Sequence, residues 1–329
     1  MKLNNTITDV PGIEVGQAQD EKALTGCTVI LCRKGAVAGV DVRGGAPGTR
    51  ETDLLNPITL VEKVHAVVLA GGSAFGLDAA SGVMRYLDEN DIGFDTGVGK
   101  VPIVPAAVLF DLNLGRGDVR PDAEMGYLAA SSASSAAPAE GNVGAGTGAS
   151  VGKIFGLKSA MKAGIGTASM KAGGLIVGAI MAVNAFGDVI HPQKGQIIAG
   201  ARSTKPGAQK SGEAGYFSDT LEIMRTSTGR LIFEAATRTN TVIGVVATNA
   251  KLTQAEAIKV AQMAQDGLAR TVRPAHTMLD GDTIFALATG EKSADPSTVG
   301  AFAAEVVAQA IIRAVQKAAP AGGLPGLKV

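Results

Sequence analysis

Residues 238–246 read Arg-Thr-Asn-Thr-Val-Ile-Gly-Val-Val, with a hydroxyl residue opening an apolar run deep inside the chain. The run after Thr241 predicts a buried strand. If the peptide bond between Asn240 and Thr241 breaks, Thr241 becomes a chain end with a free α-amine beside its own hydroxyl. An α-amine with an unperturbed pKa near about 8 can accept the hydroxyl proton close to neutral pH. The pair is therefore a candidate self-cleavage site, although threonine is also simply common in strands.

The composition of the 329-residue chain bounds its class. Apolar residues make up 46% of it, which is ample for a packed core, and glycine is abundant at 44 residues. Basic and acidic residues balance at 30 each without a dense basic run, so nucleic acid is not expected as a partner. Aromatic residues reach only 4%, which argues against stacking platforms. A compact sheet protein with glycine turns accounts for this composition.

Cysteine and histidine usage predicts neither a disulfide framework nor a metal site. Cys27 and Cys32 lie in one apolar run and are predicted to be buried free thiols. His65, His191 and His276 lack the spacing of metal ligands, so no metal and no cofactor is expected. The amino terminus has no apolar signal core, and no charge-free run of membrane length follows. We therefore expect a cytoplasmic protein without a membrane partner.

Strand and helix patterns alternate along the chain and predict mixed α/β layers. Predicted strands occupy residues 28–32 and 36–43, joined as a hairpin around 33–35, and residues 65–70, 174–184 and 282–289. Predicted helices occupy residues 77–87, 121–132, 253–270 and 296–318. The third helix opens with a capping box from Thr253 to Glu256. Polar, turn-rich residues 200–229 are predicted to form a mobile surface loop before the strand that leads to Asn240.

Two glycine-rich segments resemble known motifs without satisfying them. In residues 71–76 the second glycine falls one position too late for a G-x-S-x-G nucleophile elbow, so a tight strand-to-helix turn is predicted. Residues 141–153 fail as a phosphate-binding loop, because Thr147 replaces the first glycine and Ile154 replaces the hydroxyl residue. What remains there is a glycine-rich backbone that can offer amide donors, with Lys153 at its end.

Asp280-Gly281-Asp282 places two carboxylates around a glycine at the start of a predicted strand. Paired acids can bind a metal, share a proton or hold a substrate cation. The metal interpretation is weak because further ligands at suitable spacing are missing. A plain turn with one exposed acid is the simpler alternative.

The order of motifs along nearly the whole chain resembles that of the DmpA-type self-processing hydrolases. The matching segments are residues 7–16, 43–52, 71–76, 141–152, 183–188 and 280–283. This family includes D-aminopeptidases, β-peptidyl aminopeptidases and the nylon-oligomer (6-aminohexanoate-oligomer) endohydrolases. Asn240-Thr241 with Asp280 and Asp282 looks most like the nylon-oligomer branch, because serine-type members carry serine and glutamate at the positions of the two aspartates.

The resemblance implies an α/β fold, the αββα sandwich of the N-terminal-nucleophile type, with residues 1–329 forming a single catalytic domain. It also implies self-cleavage between Asn240 and Thr241 into an α subunit, residues 1–240, and a β subunit, residues 241–329. A homotetramer of the processed αβ units is a further expectation carried over from relatives.

The resemblance also implies roles for single residues. Thr241 would be the nucleophile, with its new α-amine as general base, and the Asn184 side chain would donate to the oxyanion. Lys153 best matches the lysine that follows the glycine-rich run in relatives. Lys158 and Lys162 lie close enough in sequence to leave the identity of that lysine open.

The remaining implied roles are electrostatic. Asp280 and Asp282 would orient the ammonium and hydroxyl of Thr241, while Lys153 would balance their charge and lower the pKa of the amine. Phe110 stands where characterised relatives carry a tyrosine, so a phenol hydroxyl is missing there.

The implied activity is hydrolysis of amide bonds, first of linear 6-aminohexanoate oligomers or similar amino-terminated amides. One alternative is an aminopeptidase that releases small, D- or β-amino acids from peptide amino termini. Another class is an acyltransferase similar to ornithine acetyltransferase, which also cuts itself before threonine. A third interpretation is a catalytically silent assembly protein, which would keep an intact chain.

Overall fold

The computed structural model describes residues 3–203, 215–234 and 240–328. The strands of this part of the chain are β1 Glu14–Asp20, β2 Thr25–Val42, β3 Thr49–Arg50, β4 Lys63–Ala70, β5 Phe94–Asp95, β6 Lys100–Val101, β7 Ala106–Val108, β8 Ser150–Val151, β9 Met161–Lys162, β10 Ile165–Ala172, β11 Leu175–Asn184, β12 Asp188–Ile190, β13 Ile197–Ala199, β14 Thr241–Ala250, β15 Val272–Arg273 and β16 Thr283–Lys292. The α-helices are α1 Ala79–Glu89, α2 Ala123–Ser131, α3 Thr220–Met224, α4 Ser227–Glu234, α5 Gln254–Thr271 and α6 Pro296–Gln316.

One large sheet organises the described chain. Its strands follow the order β10-β11-β14-β16-β2-β4-β7-β3, and β1 pairs with β2 outside this path. Most neighbours are antiparallel, but β14 runs parallel to β16, and β4 runs parallel to β7. The parallel pair of β14 and β16 brings the starts of both strands, and with them Thr241 and Thr283, to the same edge of the sheet.

Strand β2 is long enough to serve two layers of the fold. Its first half pairs with β1 and β4, and its second half pairs with β16, with a register shift between Leu31 and Ala36. The hairpin predicted around residues 33–35 is therefore wrong. Arg33 stays in the strand because its guanidinium reaches Glu14 of the neighbouring strand at 2.9 Å, and Gly35 adopts a φ of +72°. The residues that predict a turn form a β-bulge within the continuous strand instead.

Side chains alternate between the two faces of these strands and form three stacked cores. Along β14, Val242 and Val246 face α5 and α6, whereas Ile243 and Val245 face the core between the two halves of the sheet. The central core lies between the two halves of the sheet, and the third lies between β2, β4, β7 and the helices α1 and α2. The layers are thus helix, strand, strand, helix, and the predicted αββα sandwich is confirmed.

The strongly patterned elements match their predictions within a few residues. The predicted strands at 65–70, 174–184 and 282–289 correspond to β4, β11 and β16. Predicted helices at 77–87, 121–132, 253–270 and 296–318 correspond to α1, α2, α5 and α6. The Thr253 side chain caps α5 by accepting from the Glu256 backbone N–H, as the capping box predicts.

The segment predicted as a loop at residues 200–229 is only partly described. Residues 204–214 lie outside the described chain. The prediction is wrong for α3 and the start of α4. Asp219 caps α3 by accepting from the backbone N–H groups of Leu221 and Glu222. Phe233 of α4 packs edge-on against Phe186, at 5.3 Å between ring centroids, so this helix has an apolar anchor.

Helix α6 is long and apolar enough to cross a membrane by length and composition alone. However, its most apolar window is 61% buried inside the protein. Val299, Ala303, Val307 and Ile311 belong to the core beneath the sheet. The helix therefore has the packing of a core helix in this structure.

Candidate active site

Thr241 and Asn184 meet at one edge of the large sheet. Thr241 is the first residue of β14, Asn184 is the last residue of β11, and the two are directly paired in the antiparallel register. Both residues are buried, with exposed fractions of 5% and 1%. Since an antiparallel pair sets the end of one strand against the start of its neighbour, sequence positions 57 residues apart become adjacent.

The aspartate turn lies on the other side of Thr241. Asn240 forms a parallel bridge with Asp280, just ahead of the paired strands β14 and β16. The backbone N–H of Val242 donates to Asp282 Oδ1 at 2.8 Å. The Gly281 N–H donates to the Asn240 carbonyl oxygen at 3.0 Å, and the Thr241 hydroxyl donates to the same oxygen. The turn is therefore hydrogen-bonded to the backbone on both sides of the candidate cleavage bond.

Both carboxylates are also held from behind. Asp280 Oδ2 accepts from the Thr277 backbone N–H at 2.8 Å and from its hydroxyl at 2.6 Å. Asp282 Oδ2 accepts from the His276 backbone N–H at 3.0 Å, and His276 Nδ1 lies 2.9 Å away but off the line of a hydrogen bond. Within the described chain, the Thr241 hydroxyl bonds to the Asn240 carbonyl rather than to either carboxylate. The aspartates thus fix the turn around Thr241.

Burial shifts the pKa values of two charged groups in this region away from their values in water. Burial, reinforced by the negative charge of Asp282, raises the pKa of Asp280 to about 6, against the opposing effects of Thr277 and Lys153. Burial lowers the pKa of Lys153 to about 7, against the attraction of Asp280 and Asp111. One carboxyl and one amine thus titrate near neutral pH in the same site, a frequent property of catalytic clusters.

The geometry distinguishes among the three candidate lysines. Lys153 Nζ donates to Asn184 Oδ1 at 2.7 Å and to the Asn184 carbonyl oxygen at 3.1 Å. Lys158 is exposed. Lys162 is fully buried, and its Nζ donates to the carbonyl oxygens of Gly146, Ala149 and Ala163. Lys153 is therefore the lysine that contacts Asn184, whereas Lys162 bonds to the glycine-rich loop.

The Asn184 side chain is oriented from both ends. Its Oδ1 accepts from Lys153 Nζ and from the Ser150 backbone N–H at 3.1 Å, which leaves Nδ2 as the outward donor. Nδ2 donates to the Phe110 carbonyl oxygen at 2.8 Å. The amide donor thus points toward Phe110, which lines the pocket that contains Thr241.

A small pocket of about 120 Å³ opens onto Thr241. Its walls come from the loop after β2, the strand-to-helix turn, the end of β7 with the residues after it, and the candidate cleavage bond, namely Ala46, Pro47, Gly48, Ser73, Ala74, Val108, Leu109, Phe110, Asn240 and Thr241. Phe110 lines this pocket, so the position without a phenol hydroxyl does face the site. Small and apolar side chains dominate the lining.

Asp111 is a site-supporting residue that the sequence interpretation missed. Its carboxylate accepts from the Gly72 N–H at 2.7 Å and from the Thr25 hydroxyl at 2.8 Å. Burial raises its pKa, against the favourable effects of these hydrogen bonds. The residue ties the strand-to-helix turn to the segment that follows β7. Its only sequence signal is a lone acid following an apolar run.

The hydrogen bonds of Thr277 to Asp280 were also missed, although the sequence carries a signal for them. A threonine three residues before an aspartate is a common local capping pattern. Among the described residues, no group of three or more histidine, cysteine, aspartate or glutamate side chains is placed to hold a metal. Cys27 and Cys32 are buried free thiols as predicted, and burial raises the pKa of each to about 12.

The layered architecture defines the fold class: the N-terminal-nucleophile fold in its DmpA-type variant. Two solved structures share this fold over nearly the whole chain. The L-aminopeptidase D-Ala-esterase/amidase from Ochrobactrum anthropi superposes with a TM-score of 0.69 at 20% identity, covering 95% of this chain and 86% of that structure. A β-aminopeptidase from Burkholderia sp. superposes with a TM-score of 0.66 at 23% identity, covering 98% and 91%.

The chain belongs to peptidase family S58, whose family model matches residues 5–329. An uncharacterised aminopeptidase of Mycobacterium leprae is 43% identical, covering 98% of this chain and 92% of the relative. A 6-aminohexanoate-oligomer endohydrolase of Kocuria sp. is 31% identical, covering 94% and 85%. The family resemblance is confirmed, and the protein is a hydrolase that acts on amide bonds. Self-cleavage, the roles of the site residues, tetramer assembly and cytoplasmic location stay predictions.

Proposed function

We propose that the chain cuts itself between Asn240 and Thr241 and then hydrolyses amide bonds with Thr241 as its amino-terminal nucleophile. The observation that carries this proposal is the placement of the Thr241 hydroxyl. It is buried at the start of β14, directly beside the carbonyl of Asn240, with Asn184 on one flank and the aspartate turn on the other.

The cut would supply the general base. The new α-amine of Thr241 accepts the proton of its own hydroxyl while Oγ1 attacks the substrate carbonyl. The oxyanion is met by Asn184 Nδ2, whose orientation is set by Lys153 and Ser150. Lys153 and Asp280 place a cation and an anion near the new ammonium, which tunes the pKa of the amine. Collapse of the tetrahedral intermediate breaks the substrate C–N bond, and the Thr241 ammonium returns its proton to the departing amine. Water then hydrolyses the Thr241 ester, which releases the acid product and restores the hydroxyl.

Linear 6-aminohexanoate oligomers or similar amino-terminated amides are the first substrate candidates. The 31% identical endohydrolases support this class, as does the pocket lining of small and apolar side chains, which suits a flexible aliphatic chain. Aminopeptidase action on small amino-terminal residues is the second candidate. The more similar mycobacterial relatives, at 43% identity, carry that activity in their names.

Intact mass under denaturing conditions, with amino-terminal sequencing, tests the cut. We expect two fragments, one of them beginning Thr241-Val242-Ile243. A single chain of 33.1 kDa after long incubation contradicts the proposed mechanism. The same preparation is then assayed in parallel with linear 6-aminohexanoate oligomers and with β- and D-alanine amides, and product lengths separate endo-cleavage from amino-terminal release. A processed chain that hydrolyses neither group rules out both substrate classes.

A further inference from the structure

The carbonyl of the candidate cleavage bond already has a fixed hydrogen-bond donor. The Gly281 N–H lies 3.0 Å from the Asn240 carbonyl oxygen, measured from nitrogen to oxygen. The Thr241 hydroxyl donates to the same oxygen and must give up this bond when it turns to attack the carbonyl carbon. Attack therefore breaks the Thr241 hydrogen bond and leaves the Gly281 hydrogen bond in place.

Negative charge has to develop on this oxygen during self-cleavage. Thr241 Oγ1 bonds to the Asn240 carbonyl carbon, and the carbonyl electron pair moves to the oxygen. The C–N bond then breaks, and the hydroxyl proton ends on the Thr241 nitrogen. This leaves an Asn240 ester on the Thr241 side chain beside a free amine. Water hydrolyses the ester, which releases the Asn240 carboxylate and restores the hydroxyl.

We propose that the Gly281 N–H is the oxyanion donor of the self-cleavage step. This inference rests on the proposed function. It means that Gly281, the central residue of the aspartate turn, contacts an atom that takes part in the reaction. Asn184 lies on the opposite flank of Thr241, where its Nδ2 points to Phe110 and the pocket. The two donors thus serve different steps, Gly281 in maturation and Asn184 in substrate turnover.

The turn holds this donor rigidly. The Ala46 N–H donates to the Asp280 carbonyl oxygen at 2.8 Å, and the Gly44 N–H donates to the Asp282 carbonyl oxygen at 3.2 Å. The Asp280 and Asp282 side chains add the contacts to Thr277 and Val242 described above. A donor fixed before the reaction stabilises developing charge without reorganisation, which is where such donors are most effective.

The position also has to be glycine for steric reasons. A Cβ at residue 281 would lie 2.8 Å from Thr241 Oγ1 and 2.7 Å from the Ala46 carbonyl oxygen. Any side chain would therefore intrude where the nucleophile moves. The Asp-Gly-Asp sequence is explained by two anchoring carboxylates around one backbone donor that must approach the cleavage bond closely.

The test replaces Gly281 with glycolic acid during cell-free translation, which exchanges the N–H for an oxygen and adds no side chain. The matched control carries the same replacement at Gly173, an exposed glycine whose Cβ position contacts nothing within 4 Å. The release of the fragment that begins at Thr241 is followed by mass spectrometry. We expect release to slow by about 100-fold to 1,000-fold for the Gly281 replacement and to be unchanged for the Gly173 replacement.

The outcomes separate the two proposals. If the unmodified chain never cuts, the proposed function fails. If it cuts and the Gly281 ester cuts at the same rate, this inference is overturned.

Circular dichroism and thermal melting show whether the ester chain folds. If it does not, the donor is examined in the Thr241→Ala chain labelled with ¹⁵N at Gly281 and ¹³C at the Asn240 carbonyl. A scalar coupling across the hydrogen bond between these nuclei supports the assignment. A folded, labelled chain without this coupling refutes it.

Discussion

The two ends of strand β14 each adjoin a cavity, and the smaller cavity holds the candidate active site. At its start, Thr241 faces a pocket of about 120 Å³, with Asn184, Lys153 and Asp280 all buried nearby. At its end, a cavity of about 570 Å³ is lined by Lys251 and other residues near the amino terminus of α5. The larger cavity has exposed charges and the smaller one has buried, mutually bonded polar groups. Buried polar groups that converge on one point are therefore a better guide to a candidate active site than cavity volume.

Desolvation explains the difference in physical terms. A charge in water loses little free energy when its neighbours change, whereas a buried charge depends on every contact. The Asp280 and Lys153 pKa values move in opposite directions, to about 6 and about 7, from the same main cause. Groups whose pKa values are pushed toward each other can exchange roles as acid and base near neutral pH.

The largest expected effect comes from Thr241, the first residue of β14, compared with Thr253, which lies beyond the end of that strand. Thr241→Ala removes the nucleophile, so we expect complete loss of chain cutting and of amide hydrolysis, measured by intact mass and product release. Thr253→Ala removes only the cap of α5, which costs about 1 kcal/mol of stability. A Thr241→Ala chain that still produces two fragments would move the cut elsewhere.

A second comparison uses the two buried asparagines of the same region. Asn184→Ala removes the proposed oxyanion donor, and we expect kcat to fall by about 100-fold to 1,000-fold in the processed enzyme. Asn249→Ala, near the other end of β14, removes hydrogen bonds to the Ile176 N–H and the Gly174 carbonyl oxygen. That change should cost about 1–3 kcal/mol of stability and leave kcat unchanged.

Equal losses of kcat in the two asparagine variants would show that general destabilisation, and not loss of the donor, lowers turnover. Urea unfolding of both variants therefore accompanies the kinetic measurements. Asn184→Asp adds a further check, because it keeps the volume of the side chain but removes the N–H donor. We expect it to turn over as slowly as Asn184→Ala.

The two buried lysines should make the free energy of unfolding depend on pH. Burial lowers the pKa values of Lys153 and Lys162 to about 7, whereas a lysine in the unfolded chain titrates near about 10.4. Unfolding therefore takes up protons above pH 7, so the free energy of unfolding should rise with pH, by up to about 1.4 kcal/mol per pH unit for each lysine. Below pH 7 both states are protonated and the full burial cost applies.

Urea unfolding of the uncut Thr241→Ala chain between pH 7 and about pH 8.5 measures this slope. The upper limit avoids the thiols, since burial raises the pKa values of Cys27 and Cys32 to about 12, and loss of their protons on unfolding would offset the slope at higher pH. Asp280, with its pKa of about 6, contributes mainly below this window. Lys153→Met and Lys162→Met should each flatten the slope. A flat profile in the parent chain would place both ammonium groups in contact with water.

The sequence predicted the regular elements well where local signals and the tertiary structure agree. The capping box at Thr253 and the apolar faces of α5 and α6 identify those helices without any knowledge of neighbours. The hairpin at residues 33–35 was wrong because the turn signal is local, whereas the strand is held by pairing with β1 and β16. Long-range pairing overrode local preference.

The site was predicted mainly through resemblance, since residues alone left the aspartate pair as a plain turn. What sequence could not give was the direction of each side chain. Asp111 bonds to Thr25, which lies 86 residues away. The choice of Lys153 over Lys162 depends on which nitrogen reaches Asn184. Such contacts follow from the packing of separate layers and leave no short pattern in the chain.

The smallest expected effect belongs to the larger cavity. Lys251 is exposed at its rim, so Lys251→Ala should change stability by no more than about 0.5 kcal/mol and leave chain cutting and kcat unchanged. The measurement is the same product-release assay used for Asn184→Ala. A loss of turnover with normal cutting would mean that substrate reaches the far end of the sheet. The small pocket would then be only the reacting end of a longer binding groove, and cavity size would regain its value as a guide to the site.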